Sequence, residues 1–150
     1  MSGETDLIKL YSGQILQLAA SMPHTDRLAE PDATVKKRSP LCGSTVTVDV
    51  SVADGVISAF GQDVRACALG QAAASVVGAN VIGRSRAEID AARDSLKEML
   101  KQDGPTPPAP FDGLEVLRPA RDYKNRHASI LLALEATAEA FEAAEQANCA

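Results

Sequence analysis

From Thr45 to Val52 the chain alternates strictly, with Val46, Val48, Val50 and Val52 on one side of an extended backbone and Thr45, Thr47, Asp49 and Ser51 on the other. A period of two marks a half-buried antiparallel strand. Ala53-Asp54-Gly55 supplies a hairpin turn, and Val56-Ile57-Ser58-Ala59-Phe60 the returning strand. Ala33 to Arg38 can add a third strand, with the Lys36-Lys37-Arg38 run as the solvated face of a sheet edge.

Elsewhere the period is helical. Between Thr5 and Ala20, residues Leu7, Ile8, Tyr11, Ile15 and Leu18 share one stripe, and Glu4 and Asp6 suit the positive end of the helix dipole. A turn-rich stretch, Ser21 to Asp32, separates this helix from the strands. Ala66 to Val77 is rich in Ala, Gly and Ser, which suits a helix packed close to a neighbouring backbone. Ser85 and Glu88 have capping-box spacing and open a helix that carries Ile89, Ala92, Leu96, Met99 and Leu100 on one side. The run from Gly104 to Pro110 is too proline-rich for a helix or central strand and reads as a rigid loop. The last helix, from about Arg126, aligns Ile130, Leu131, Leu134, Ala138 and Phe141. Strands and helices are segregated along the chain, which predicts an α+β fold: a small antiparallel sheet of about three strands with helices packed on one face. The length, 150 residues, suits a single domain spanning residues 1–150.

Charge narrows the function. Fifteen Lys and Arg against twenty Asp and Glu leave a net charge of -5, and aromatic residues make up only 3% with no Trp, so neither phosphate attraction nor base stacking favours nucleic acid. The acidic, polar start and the lack of any apolar run of membrane-span length point to a cytoplasmic protein without a membrane partner. No acid/base pair, phosphate loop or nucleophile triad marks an enzyme.

The chemistry that remains is carried by sulfur. Cys42 lies in Ser39-Pro40-Leu41-Cys42-Gly43-Ser44, where Pro40 favours an extended approach and Gly43 permits an unusual backbone angle, so a thiol can be presented on a tight turn. Cys67 falls in the first turn of the small-residue helix, where the dipole and unpaired amides favour a ligating or attacking sulfur. His127, at the start of the last helix, can offer a neutral imidazole to zinc or iron. Each also has a plain reading, as buried small residues for the cysteines and as a surface or capped residue for the histidine. Cys149, beside the terminal Ala150 in a polar tail, is read as incidental.

The Cys42 turn entering a valine-alternating strand, the segment from Phe60-Gly61 to Ala66-Cys67-Ala68, and the helix opened by His127-Ala128-Ser129 resemble the IscU, NifU N-terminal and SufU-like scaffold proteins of iron-sulfur cluster assembly. The resemblance implies an α+β sandwich with ligands at one exposed end. It also implies a transient [2Fe-2S] cluster, iron or zinc held by Cys42, Cys67 and His127, with a cysteine desulfurase and recipient iron-sulfur proteins as partners. Two family positions differ, Ser44 standing for an aspartate and Ala128 for the third cysteine, so three donors face a demand for four. A water, a carboxylate such as Asp63 or Asp122, or a second chain would complete the set. The alternatives are a zinc-binding or metal-free docking module in the same assembly system, and a persulfide acceptor.

Overall fold

A computed structural model of the protein describes residues 13–40 and 43–149. Helix α1, Gly13–Ala20, carries Ile15 into the core, while Leu7, Ile8 and Tyr11 of the expected stripe lie outside the described residues. Strands β1 (Ala33–Arg38), β2 (Thr45–Ala53) and β3 (Val56–Arg65) form one antiparallel sheet in the order β1-β2-β3. The valine alternation does what its period requires: Val46, Val48 and Val50 are buried on the side covered by helices. The fold is therefore α+β, as the segregation of elements predicts.

The helices that cover this face are α2 (Ala68–Asn80), α3 (Arg86–Gln102) and α4 (Lys124–Cys149). α4 lies across β1 and β2, α2 and α3 pack against α4, and α1 packs on α2. The start of α3 is closed by a full capping box, Ser85 Oγ accepting from the Glu88 N–H at 3.3 Å and the Glu88 carboxylate from the Ser85 N–H at 3.0 Å. Ser85→Ala leaves the Glu88 amide without that acceptor and is expected to lower stability by about 1 kcal/mol in urea unfolding; an unchanged midpoint would show that the cap contributes nothing.

Four details differ from the sequence reading. β3 runs on to Arg65, past Phe60, because Gly61 and Gln62 interrupt its apolar pattern for local reasons. A methyl group at Gly61 would stand 2.6 Å from the Asp26 carbonyl oxygen, and Gln62 is fully buried, its Nε2 donating to the carbonyls of Pro23 at 3.1 Å and Ala74 at 3.3 Å. After the proline loop, Phe111–Asp122 forms successive 3-10 turns, with Phe111, Leu114, Leu117 and Ala120 buried. Their spacing of three is the 3-10 period. α4 begins at Lys124 and continues through Cys149, which is thus helical and not part of a tail. Lys37 turns toward the helices, where the Glu139 carboxylate at 2.6 Å holds its pKa above the ordinary lysine value against the opposing effect of burial.

The opposite sheet face carries Asp49, which is completely buried despite its place on the polar side of β2. A strap, Pro23 to Leu28, crosses over it. Arg27 donates to the carboxylate from Nε at 2.5 Å and Nη2 at 2.9 Å, the Thr34 hydroxyl at 2.6 Å and the Leu28 N–H at 3.1 Å. Burial pushes the Asp49 pKa up, but these donors together outweigh it and hold the carboxyl below the usual aspartate value. The strap also meets the outer edge of β3, where the Gln62 N–H donates to the His24 carbonyl at 2.8 Å. At the other end of that edge Ile57 bonds to Arg84 at 3.1 Å and Gly83 to Ile57 at 2.8 Å. Among the described residues no helix is long and apolar enough to cross a membrane.

Candidate functional site

Three elements converge at the end of the sheet where β2 begins and β3 ends. The first is the β1–β2 turn, closed by the Ser39 N–H on the Ser44 carbonyl at 2.8 Å and the Gly43 N–H on the Ser39 carbonyl at 3.0 Å. Gly43 has φ +72°, the left-handed region in which glycine carries no steric penalty. The second is the start of α2, where Cys67 is the N-cap residue in extended conformation with a half-buried thiol. The third is the beginning of α4, which brings Ser129.

These elements meet through hydroxyls. Cys67 Sγ lies 3.6 Å from Ser129 Oγ, and Ser129 Oγ donates to Ser44 Oγ at 3.2 Å. Both serines are buried, with exposures of 4% for Ser44 and 1% for Ser129, so the chain joins strand, turn and helix away from bulk water. Close approach of α2 to α4 makes this possible: a methyl at Gly70 would stand 2.6 Å from Ser129 Oγ and 3.2 Å from the Ser129 carbonyl. Sequence reasoning assigned no role to Ser129 or Gly70. The available signal was a hydroxyl in an otherwise apolar stretch of helix, paired with a glycine inside an alanine-rich one.

Of the expected donors, Cys67 is placed at this junction, one residue before the helix whose first turn was predicted to hold it. Cys42 lies outside the described residues, two positions before Ser44. His127 is buried, and its Nε2 lies 3.0 Å from both the Ala120 and Arg121 carbonyls, so this nitrogen carries the proton. Nδ1 is buried without a hydrogen-bond partner. The ring lines a cavity with Leu100, Lys101, Arg121 and Lys124. Two residues of an α-helix differ by about 200° around its axis, so the helix side that presents Ser129 to Cys67 is nearly opposite the one carrying His127. The two carboxylates considered as further donors have cationic neighbours, Asp63 with Arg65 at 3.5 Å and Asp122 with Arg121 at 4.0 Å. Among the described residues, no three His, Cys, Asp or Glu side chains are grouped to hold a metal ion.

A nitrogen-fixing NifU-like protein (N-terminal) from Brucella abortus has a crystal structure that superimposes on this fold with a TM-score of 0.91 and 45% sequence identity, covering 94% of this chain and 98% of that one. The chain belongs to the NifU-like family. The fold of this NifU-like chain also matches a hypothetical protein at TM-score 0.77 and 24% identity, with 90% of this chain and 98% of that one covered. A third match, at TM-score 0.78 and 17% identity, is a candidate iron-sulfur cluster assembly scaffold for the SUF system of Fervidobacterium islandicum, covering 89% of this chain and 98% of that one. These two likenesses concern the fold. No protein-family model matches the sequence, and a search of curated proteins finds no relative.

Within the NifU-like fold, the donor chemistry is limited. Ala128, at the position the resemblance gives to a third cysteine, offers no ligand atom, and the serine hydroxyls beside Cys67 are poor ligands for iron or zinc. They can instead hydrogen-bond to the sulfur and fix its direction.

Proposed function

We propose that this protein serves iron-sulfur cluster assembly as a scaffold- or carrier-like protein, not an enzyme, taking iron, zinc or a labile [2Fe-2S] cluster as cargo on Cys42 and Cys67. The observation that carries the reading is the hydroxyl chain that joins Cys67 to Ser44 through Ser129. Cys42 stands two positions before Ser44 in the sequence, and the reading takes it as the second thiol. The family relationship supports this reading. The partners would be a cysteine desulfurase that supplies sulfur and recipient iron-sulfur proteins, with the chain acting in the cytoplasm.

His127 joins the thiolates as a third donor only through a rearrangement of the first turn of α4. Its Nδ1 carries the free lone pair, but Nε2 is engaged with Ala120 and Arg121 on the 3-10 helix. The same arrangement leaves room for a second reading, a zinc-binding or metal-free docking module, or a persulfide acceptor at Cys42 or Cys67, since two thiols and an open position suit sulfur relay as well as cargo.

Anaerobic reconstitution with iron and sulfide separates these readings. The expected result is charge-transfer absorption that disappears in both Cys42→Ser and Cys67→Ser while circular dichroism is unchanged. If the wild type stays colourless, iron and the cluster are excluded as its cargo. About one zinc per chain then supports the zinc module, and one added sulfur atom in the mass after incubation with desulfurase and cysteine supports the acceptor. Loss of colour in a folded His127→Ala would make the histidine a donor; retained colour leaves the ligands to the thiolates and solvent.

A further inference from the structure

The face of the sheet turned away from the helices is divided by the strap. One half is covered around Asp49, and among the described residues the other is open toward the end where Cys67 lies. Strand register places Arg38, Thr45 and Arg65 in one row across this open half and Lys36, Thr47 and Asp63 in the next. Arg27 closes the third side, and with Thr34 and all of these residues but Arg38 it lines a depression of about 490 Å³, which Arg38 borders by its place in the register.

Cations outnumber carboxylates on this half of the face. Four cations, Arg27, Lys36, Arg38 and Arg65, meet two carboxylates, and one of those, Asp49, is fully buried beneath Arg27. Arg65 is 78% exposed in its side chain and only loosely paired, 3.5 Å from Asp63. Among the described residues, Lys36 and Arg38 have no carboxylate partner, and both are exposed. The whole chain nevertheless carries a net charge of -5, so these cations are gathered on an otherwise acidic molecule.

We propose that this cationic half of the sheet face docks an acidic segment of a partner protein. The threonine floor offers hydroxyl donors and acceptors between the charges, and the depression accommodates a short chain segment. A long nucleic acid or a membrane surface would meet the net negative charge of the whole chain, and no residue lining the depression is aromatic to stack a base. Arg65 is two residues before Cys67, so a partner held here has its adjoining surface beside the thiol. The inference goes beyond the cargo reading and does not depend on it.

The test uses a fluorescein-labelled oligoglutamate peptide with the full chain, followed by anisotropy. Binding is expected to weaken with added salt and to fall about tenfold or more in Lys36→Glu/Arg38→Glu/Arg65→Glu. Lys101→Glu/Lys124→Glu, which removes cations from another part of the surface, is expected to leave binding unchanged. Equal binding by wild type and triple variant, or equal loss in the second variant, overturns the assignment. So does tighter, triple-variant-sensitive binding of a single-stranded oligonucleotide or of phosphatidylserine vesicles. Iron-sulfide colour measured on the same triple variant keeps the two readings apart: colour with lost peptide binding supports both, and peptide binding by a colourless wild type leaves docking without iron or cluster cargo.

Discussion

Gly70→Val is expected to destabilise the protein by about 3 kcal/mol, because overpacking a tight helix contact forces backbone shifts or off-rotamer side chains. A first added carbon would already lie 2.6 Å from Ser129 Oγ, 2.9 Å from the Ala66 methyl and 3.2 Å from the Ser129 carbonyl, and valine adds two more. The only one of these atoms free to swing aside is the serine hydroxyl, and moving it breaks the link to Ser44 and the contact with Cys67. Helix propensity offsets at most about 1 kcal/mol of the cost. Adding Ser129→Ala should recover part of the stability, a coupling of about 1 kcal/mol in a double-mutant cycle read by urea unfolding. Wild-type stability in Gly70→Val, or strict additivity of the pair, would show that the two helices do not approach as described.

The second large effect lies on the other side of the sheet. Asp49→Asn keeps the shape of the side chain but removes the charge that receives donors from Arg27, Thr34 and Leu28, and it is expected to cost about 2–4 kcal/mol at neutral pH. The effect should depend on acidity in one direction. The folded-state pKa of Asp49 is lower than the unfolded value of about 3.9. The carboxylate's stabilisation is therefore complete above that value and lost as pH falls through the folded pKa. The stabilities of wild type and variant should begin to converge as pH falls below about 3.9 and meet only below the folded pKa. A gap that stays constant between neutral and strongly acidic conditions would mean that packing, not ionisation, accounts for the loss.

Asp49 also shows where the sequence stops being readable. Alternation in β2 assigns it correctly to the face opposite the valines, but its burial depends on a strap with no periodicity of its own. Nothing local to Thr47-Val48-Asp49 announces that Arg27, more than twenty residues away, will reach it. Lys37 fails for the same reason in reverse, since the length of α4 that sets Glu139 against it is a tertiary fact. The capped start of α3 was legible because Ser85 and Glu88 are three residues apart and their bonds are local. Phe111, Leu114, Leu117 and Ala120 were equally legible in principle, and the prolines around them hid a period of three. At the site, Cys67 could be placed from composition because a small-residue helix has few possible starts. The orientation of His127 could not, because it depends on how the 3-10 helix delivers the Ala120 and Arg121 carbonyls to the ring.

The two borders of the sheet differ in how they receive another strand. The outer edge of β3 is occupied at both ends, by His24 at Gln62 and by Gly83 and Arg84 at Ile57. An open edge is a template for growth by another chain, and here that growth is left to β1. A second copy pairing antiparallel along β1 would set Lys36 and Arg38 near their own counterparts, and like charges facing each other across strands are unfavourable. Among the described residues, the sheet is thereby guarded against copies of itself, while the β1 border remains compatible with a strand of opposite charge.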